Sequence, residues 1–203
     1  MNASGGDGEG RRPAGAGGAV GGEGTGARPW RVERLGAETV YSGRLVEVRV
    51  ERFRHVDGEQ VTREIVRHRG AVGIVAHDEE RVWLVRQPRE AVEAELLEIP
   101  AGRLDVDGEG PLEAAQRELA EEVGLGAQSW EPIVSFYTSA GFTDERVHLF
   151  RATRLHEASA ESEENERIEI VPWPLSRLDE AIAECRDAKT LIGLLWLARR
   201  LNA

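Results

Sequence analysis

Three glutamates cluster near the middle of the 203-residue chain, in a segment with the pattern of a helix. If the helix covers 111–123, Glu118, Glu121 and Glu122 lie at i, i+3 and i+4, on one side of it. Like charges at this spacing cost about 0.2–0.5 kcal/mol per pair, whereas a divalent cation would turn the same oxygens into ligands. The cluster is therefore a candidate metal site, and the alternative is a solvated acidic face paired with Arg117.

The limits of this helix follow from local signals. Pro111 suits the first helical turn, where its missing N–H costs nothing, and Gly124 suits the left-handed position after the last turn. An apolar stripe at helical spacing predicts the buried face. Its members are Leu112, Ala115, Leu119 and Val123.

The spacing around the glutamates is more specific than the cluster itself. Gly102 and Glu109 are followed, after seven residues, by Arg-Glu-Leu-Ala-Glu-Glu-Val-Gly-Leu at 117–125. This resembles the Nudix box, which is a Gly, a Glu and then Arg-Glu-apolar-x-Glu-Glu-x-Gly-apolar. Six residues rather than the usual five separate Gly102 from Glu109. The extra residue lies in the loop before the helix, so the phasing of the helical glutamates is kept.

The resemblance implies an enzyme that hydrolyses a phosphoric anhydride bond at a loop–helix–loop metal site. It assigns metal ligands to Glu118 and Glu122, with Glu121 as a further candidate, and a structural salt bridge to Glu109 and Arg117. The expected cofactor is Mg²⁺, with Mn²⁺ as the alternative, because both ions prefer carboxylate oxygens. The metal would orient the diphosphate, neutralise its charge and activate water.

Segments outside the box resemble the ADP-ribose pyrophosphatase branch of the Nudix family, over about residues 33–200. The matching segments are 41–43, 61–64, 70–72, 85–89, 97–102 and 139–145. Ala140 departs from that branch, in which proline is commoner. In the branch, the N-terminal strands exchange between two subunits and the partner chain completes the active site, so a homodimer is implied.

This closer resemblance implies further site residues. Arg63 matches an arginine that reaches the substrate from the partner subunit, and Arg89 matches one near the adenosine half. A surface ion pair is the alternative for both. Ala101 matches a residue whose backbone carbonyl joins the metal shell. A loop near the terminal ribose and phosphates supplies Ser139, Gly141 and Glu145.

The catalytic base of the branch lies outside the helix, on an acidic loop. Residues 161–168 read Glu-Ser-Glu-Glu-Asn-Glu-Arg-Ile. By its position before the final strand, Glu164 matches the general base and Glu166 a further metal ligand. A carboxylate at hydrogen-bonding distance can take a proton from a metal-activated water. Glu163 and Glu145 are alternatives for the base, and a merely solvated loop is the alternative for the segment.

Strand and helix patterns predict the α+β class, arranged as a Nudix α/β/α sandwich. Apolar and β-branched runs predict strands around 39–41, 45–50, 61–66, 71–76, 82–85, 96–99, 132–138, 147–152 and 168–173. Helices are predicted over 176–186 and 189–201.

Three regions are expected along the chain. Residues 1–30 form a Gly- and Ala-rich tail that offers little to bury and is expected to be disordered. Residues 31–69 form an antiparallel β module for dimerisation, and residues 70–203 form the Nudix hydrolase domain. A sheet as small as that module is marginal alone, so it should pack on the main domain or on a second subunit.

Composition excludes several classes of partner. A net charge of −11 argues against binding to a nucleic-acid backbone, which needs clustered Lys and Arg. The longest apolar stretch, at 191–198, is far shorter than the ~20 residues of a membrane span. One cysteine, Cys185, cannot form an internal disulfide, and no apolar run resembles a signal peptide. The cytoplasm is the expected location.

The main functional hypothesis is Mg²⁺-dependent hydrolysis of ADP-ribose to AMP and ribose 5-phosphate. A second hypothesis keeps the chemistry and changes the substrate to another nucleoside diphosphate sugar or to a dinucleotide, since the box does not report specificity. A third is a sensor that binds ADP-ribose without hydrolysing it. Such sensors usually lose box glutamates or carry a DNA-binding domain. Here the three helical glutamates are intact and no basic region is present, which favours an enzyme.

Overall fold

Strands and helices are mixed along the chain, as the α+β prediction requires. In residues 30–159 and 167–202, which the computed structural model describes, there are ten β-strands and three α-helices. They are β1 Glu33–Ser42, β2 Glu47–Arg54, β3 Gln60–Arg67, β4 Ala71–Ala76, β5 Arg81–Arg89, β6 Ala94–Glu98, β7 Ala101–Arg103, α1 Pro111–Val123, β8 Leu125–Tyr137, β9 Arg146–Glu157, β10 Glu169–Pro174, α2 Leu178–Glu184 and α3 Ala188–Leu201.

The strands form three sheets. The first has the order β1-β2-β3 and the second β10-β5-β6, and every pair in these two sheets is antiparallel. The third has the order β7-β4-β9-β8, in which β4 and β9 run parallel. The turn between β2 and β3 contains Asp57-Gly58, where Gly58 has a φ of 88°, a conformation that glycine adopts without steric cost.

Strand β4 is apolar on both faces because helices cover it on both sides. Val72 and Ile74 belong to a buried cluster with Leu119 of α1. Val75, which points the other way, belongs to a second cluster with Leu194 of α3. The helices therefore lie on opposite faces of the central strands, so the predicted α/β/α sandwich is confirmed.

Helix α1 begins at Pro111 and ends at Val123, as predicted, and Gly124 takes the left-handed conformation with a φ of 72°. The sequence did not predict β7, and it placed the start of β8 seven residues too late. Helix α2 is shorter than predicted, because a 3-10 turn precedes it and Cys185 returns to an extended conformation. That cysteine is buried, and burial raises the pKa of its thiol.

The N-terminal sheet is joined to the body of the chain through β3. The backbone amide of Val66 donates to the carbonyl of Phe142, and the amide of Asp144 donates to the carbonyl of Val66. Several apolar side chains of this sheet and its first turn are exposed, namely Val40, Tyr41 and Leu45. The division at residues 69 and 70 and the exchange of strands between subunits stay predictions, and residues 1–29 of the predicted tail lie outside the described residues.

Candidate active site

A cleft of about 770 Å³ is lined by β5, β6, β7, helix α1 and the start of helix α3. Five of the predicted site residues line it, together with the further candidate ligand Glu121: Arg89, Ala101, Glu118, Glu122 and Glu145. Another surface depression, of about 780 Å³ near His77, holds none of the predicted site residues. The chemistry-bearing residues therefore converge in the first cleft.

Strand β7 and helix α1 hold the two predicted glutamate ligands. The backbone amide of Ala101 donates to Oε2 of Glu122 at 2.9 Å. Glu118 lies against Gly102, so close that a Cβ added to Gly102 would stand 1.9 Å from Cδ of Glu118. Both carboxylates are largely buried. The short strand thus fixes the two glutamates from the side opposite to their own helix.

Arg117 neutralises much of the acidic helix face. Its guanidinium donates to Glu109 at 3.0 and 3.1 Å, to Glu118 at 2.7 Å and to Glu121 at 2.8 Å. Hydrogen bonding to Glu109 is the largest cause that raises the pKa of Arg117. The structure therefore contains both the salt bridge implied by the resemblance and the arginine pairing of the alternative interpretation. Glu122 turns instead toward Ala101.

The donor set suits a hard divalent cation, although the described side chains supply only part of a coordination shell. No group of three His, Cys, Asp or Glu side chains within residues 30–159 and 167–202 is arranged to hold a metal ion. The carboxylates of Glu118 and Glu122 and the carbonyl of Ala101 offer the oxygen ligands that Mg²⁺ prefers. The predicted base Glu164, the predicted ligand Glu166 and the alternative base Glu163 lie outside the described residues.

A buried ion-pair network forms another wall of the cleft. Glu98 is 1% exposed and accepts two hydrogen bonds from Arg89, each 2.7 Å long, and a third from Lys189. Burial alone would raise the pKa of Glu98, but hydrogen bonding to Arg89 and the charge of Lys189 lower it below its ordinary value. Hydrogen bonding to Glu98 in turn raises the pKa of Arg89.

Sequence reasoning missed Lys189 as a cleft residue. The signal available was the segment Asp187-Ala188-Lys189-Thr190. Asp187 caps α3 by accepting from the amide of Thr190 at 2.9 Å, which places Lys189 in the first turn of the helix. Capping predicts where the helix begins, but it does not predict which wall of the cleft that helix end faces.

The loop after β8 is only partly in the cleft. Glu145 lines it and accepts from the hydroxyl of Thr138 at 2.7 Å. Ser139 and Gly141 are not among the cleft-lining residues in the part of the chain described. The carbonyl of Ser139 accepts from the amides of Phe142 and Thr143 and so closes the turn.

His68 is a second cleft residue that the sequence did not single out. Its Nδ1 accepts from the amide of Gly70 at 3.0 Å and lies 3.6 Å from Oε1 of Glu145. His68 therefore lies between the backbone at the start of β4 and the carboxylate of Glu145.

Arg63 lies outside the cleft of its own chain. It is on the exposed side of β3, and its guanidinium donates to the carbonyl of Thr62 at 2.9 Å. This position leaves the prediction of a role at the partner's site open.

Comparison with known proteins decides the family. The NUDIX domain family model matches residues 67–190 of the chain. The chain belongs to the Nudix family.

Curated relatives span most of this Nudix chain. An ADP-ribose pyrophosphatase of Bacillus subtilis (strain 168) is 38% identical over 168 residues, which cover 80% of this chain and 90% of that protein. A methanol dehydrogenase activator of Bacillus methanolicus is 39% identical over 165 residues, covering 79% and 89%. An ADP-ribose pyrophosphatase of Mycobacterium tuberculosis (strain ATCC 25618 / H37Rv) is 41% identical over 139 residues, covering 68% and 67%.

A solved structure, the crystal structure of an ADP compounds hydrolase, is similar to this Nudix fold with a TM-score of 0.76. The two chains are 26% identical over 87% of this chain and 97% of the other. Helix α1 is thus the Nudix helix, and the chain is a Nudix hydrolase. No helix among residues 30–159 and 167–202 is both long and apolar enough to cross a membrane.

Proposed function

We propose that this Nudix hydrolase cleaves the pyrophosphate bond of ADP-ribose, giving AMP and ribose 5-phosphate, with Mg²⁺ as its metal. The observation that carries the proposal is the convergence of Glu118, Glu122 and Arg89 on one cleft. The carboxylates would supply oxygen ligands for a metal ion, and the guanidinium of Arg89 would bind an anionic substrate beside them. Two relatives named ADP-ribose pyrophosphatase, at 38% and 41% identity, support the choice of substrate.

The metal shell would consist of oxygens from Glu118, Glu122, the carbonyl of Ala101 and Glu166. A bound divalent cation would neutralise the diphosphate and lower the pKa of a bound water. The chain's own contribution is to fix the ligands: Ala101 holds Glu122 through a backbone hydrogen bond, and Gly102 leaves the room in which Glu118 lies.

The base would be Glu164, which takes a proton from the attacking water. Glu163 and Glu145 are the alternatives, and Glu145 is already engaged by Thr138. The test replaces each of the three by glutamine. Glu164→Gln is expected to lower kcat strongly with little change in KM, and to remove the limb of the pH–rate profile that reports the base. The same result from Glu163→Gln alone would move the assignment to that residue.

Substrate contacts would come from two sides of the cleft. Arg89 is oriented by its two hydrogen bonds to Glu98 and would bind the adenosine half of ADP-ribose. Ser139, Gly141 and Glu145 would lie near the terminal ribose and phosphates. Because Ser139 and Gly141 are outside the cleft lining, their contact requires that a bound substrate extend beyond the lining toward the loop.

The active unit would be a homodimer in which Arg63 serves the partner's site. The exposed apolar residues Val40, Tyr41 and Leu45 supply a surface that a second copy would cover. Light scattering coupled to gel filtration measures the mass. A complementation experiment tests the site: Arg63→Ala and Glu122→Gln chains are each expected to be inactive as homodimers.

Co-expression of those two chains gives heterodimers that separate the alternatives. If Arg63 acts across the interface, one site of each heterodimer has both residues intact and activity returns. If Arg63 acts in its own chain, each site lacks one of the two residues and activity stays absent. A monomeric mass would contradict the dimer directly.

The function itself is tested by a substrate screen. Purified protein with Mg²⁺ is incubated with ADP-ribose, other nucleoside diphosphate sugars and dinucleotides, and the products are identified by mass spectrometry. AMP and ribose 5-phosphate from ADP-ribose, at the highest kcat/KM of the set, are expected. A higher kcat/KM for another diphosphate would make that compound the substrate and leave the proposed reaction type unchanged. Tight binding of ADP-ribose without turnover would favour the sensor hypothesis.

The buried free thiol of Cys185 agrees with a reducing compartment such as the cytoplasm.

A further inference from the structure

One polar side chain in the cleft wall lacks a hydrogen-bond partner. Gln87 in β5 is 9% exposed and lines the cleft. Its Nε2 is buried and has no acceptor among the described residues. Buried amide groups are nearly always hydrogen-bonded, because losing water without gaining a partner is costly. An apolar side chain of similar size, such as Met, would fill this position without that cost.

The position of Gln87 relates it to the ion-pair wall. Side chains alternate along a strand, so Gln87 and Arg89 point to the same face of β5. On the neighbouring strand, Leu96 is paired with Gln87, and Glu98 is paired with Val85. The Arg89–Glu98 ion pair therefore crosses this face diagonally, beside the place where Gln87 stands.

The acceptor that Gln87 lacks has a defined chemical character. Both oxygens of Glu98 already accept from Arg89, and one also accepts from Lys189. The unpaired donor thus lines the same cleft as Arg89 and Lys189, the two cations that are bound to Glu98. An anionic oxygen is the ligand that such a group of donors binds best. Arg89 is also close enough to Glu122 for their charges to interact, which brings these donors near the proposed metal ligands.

We propose that Gln87 is a substrate-binding residue whose Nε2 donates to a phosphate oxygen of the nucleotide. The inference rests on the proposed function. It adds a neutral donor beside Arg89, so that Gln87 would contact a phosphate oxygen next to the adenosine half that Arg89 is proposed to bind.

The test replaces Gln87 by Met, which keeps the length of the side chain and removes its donor. Kinetics with ADP-ribose, inhibition by AMP and by adenosine, and thermal unfolding are measured for the wild type and for Gln87→Met. Gln128→Met, at an exposed position of β8, is the matched control and should behave as the wild type. Gln87→Asn keeps the donor on a shorter side chain and should give an intermediate KM.

We expect Gln87→Met to weaken the binding of ADP-ribose and AMP without lowering the stability of the fold. KM for ADP-ribose and the inhibition constant of AMP should rise about tenfold or more, as for a lost hydrogen bond to a charged group. Inhibition by adenosine should not change. The melting temperature should stay the same or rise, because the substitution removes a buried amide that has no hydrogen-bond partner.

Other outcomes overturn the inference. An unchanged KM with a lower melting temperature would mean that Gln87 is structural. Equal weakening of AMP and adenosine would mean that the amide binds the nucleoside and not a phosphate. Absence of ADP-ribose hydrolysis in the wild type would instead reject the proposed function, so the two failures are distinguishable.

Discussion

The carboxylate of Glu118 lies where a side chain at position 102 would have to be, 1.9 Å from a Cβ built on Gly102 to Cδ of Glu118. Nonbonded carbon atoms stay roughly 3.5–4.0 Å apart. The first glycine and the first helical glutamate of the Nudix box are therefore one geometric unit. The glycine sets how deeply the glutamate reaches between α1 and β7.

Gly102→Ala should displace Glu118 and weaken metal binding. We expect kcat to fall by roughly 10- to 100-fold, the range seen when a ligand's support is lost, and the half-saturating Mg²⁺ concentration to rise. Initial rates over a Mg²⁺ titration measure both. Gly36→Ala is the control, because its added Cβ meets only the end of the Arg52 side chain at 3.3 Å. A folded Gly102→Ala protein with normal Mg²⁺ dependence would contradict the assignment of Glu118.

Glu122→Gln should separate the charge of this residue from its shape. The glutamine oxygen can still accept the hydrogen bond from Ala101, which is 2.9 Å long in the wild type. The negative charge is lost, so turnover should fall at least about 100-fold, beyond the loss typical of a residue that only supports a ligand. The melting temperature should hold or rise slightly, because like charges on the helix are reduced.

The control for that substitution is Glu113→Gln, at an exposed position of the first turn of the same helix. It changes the same charge on the same helix and should leave kcat within about twofold, as surface substitutions away from special features have small effects. If both variants keep wild-type rates, the helix face is not a metal site.

The features that could be predicted from the sequence are those that depend on residues close together in the chain. Pro111 and Gly124 are local signals, so the limits of α1 were predicted to the residue. The Glu109–Arg117 salt bridge was implied by the resemblance of this one segment to the Nudix box, and it is present at 3.0 Å.

Contacts between distant segments could not be predicted. Lys189 meets Glu98 from 91 positions away in the chain, and neither residue carries a local pattern that pairs them. Strand β7 has only three residues, too few for alternation to be recognised, and it exists because β4 offers it a partner. The sequence therefore predicted the face of the site on α1 better than the wall formed by β7 and the Glu98–Lys189 contact.

Acidification should destabilise the protein through Glu98. Its pKa is lowered in the folded state, so its contribution to stability is complete above its unfolded pKa, about 4.3, and is lost as the pH falls through the lower folded pKa. The melting temperature of the wild type should therefore fall below about pH 4.3, and that of Glu98→Gln should depend less on pH in this window.

At neutral pH, Glu98→Gln should also be less stable than the wild type. Removing one partner of a buried pair costs about 3–5 kcal/mol, and the lower end is expected because the side chain of Arg89 is 39% exposed. Denaturant unfolding measures the difference. Glu180→Gln is the control, since the Arg177–Glu180 pair is exposed and such pairs contribute little. Equal stability of Glu98→Gln and the wild type would show that the two cations find other partners.

Asp144 links the N-terminal sheet to the loop that carries Glu145. One carboxylate oxygen pairs with Arg67 at 3.0 Å, and the other accepts from the amide of His68 at 2.9 Å. Arg67 in turn pairs with Glu51, which is fully buried in the sheet. Asp144→Ala should therefore free the loop from the sheet. We expect a loss of about 1–3 kcal/mol in unfolding free energy, as for a lost charged hydrogen bond, and a raised KM for ADP-ribose.

The matched control is Asp107→Ala, which removes an ion pair with Arg69 in which the aspartate side chain is 96% exposed. Its stability and KM should equal those of the wild type, because exposed pairs contribute little. The informative comparison is between the rise in KM and the loss of unfolding free energy that Asp144→Ala causes. A raised KM with a small loss of stability means that the sheet positions the loop for substrate. A normal KM with a large loss of stability means that the contact only holds the fold together, and Glu145 then does not depend on the N-terminal sheet for its place in the cleft.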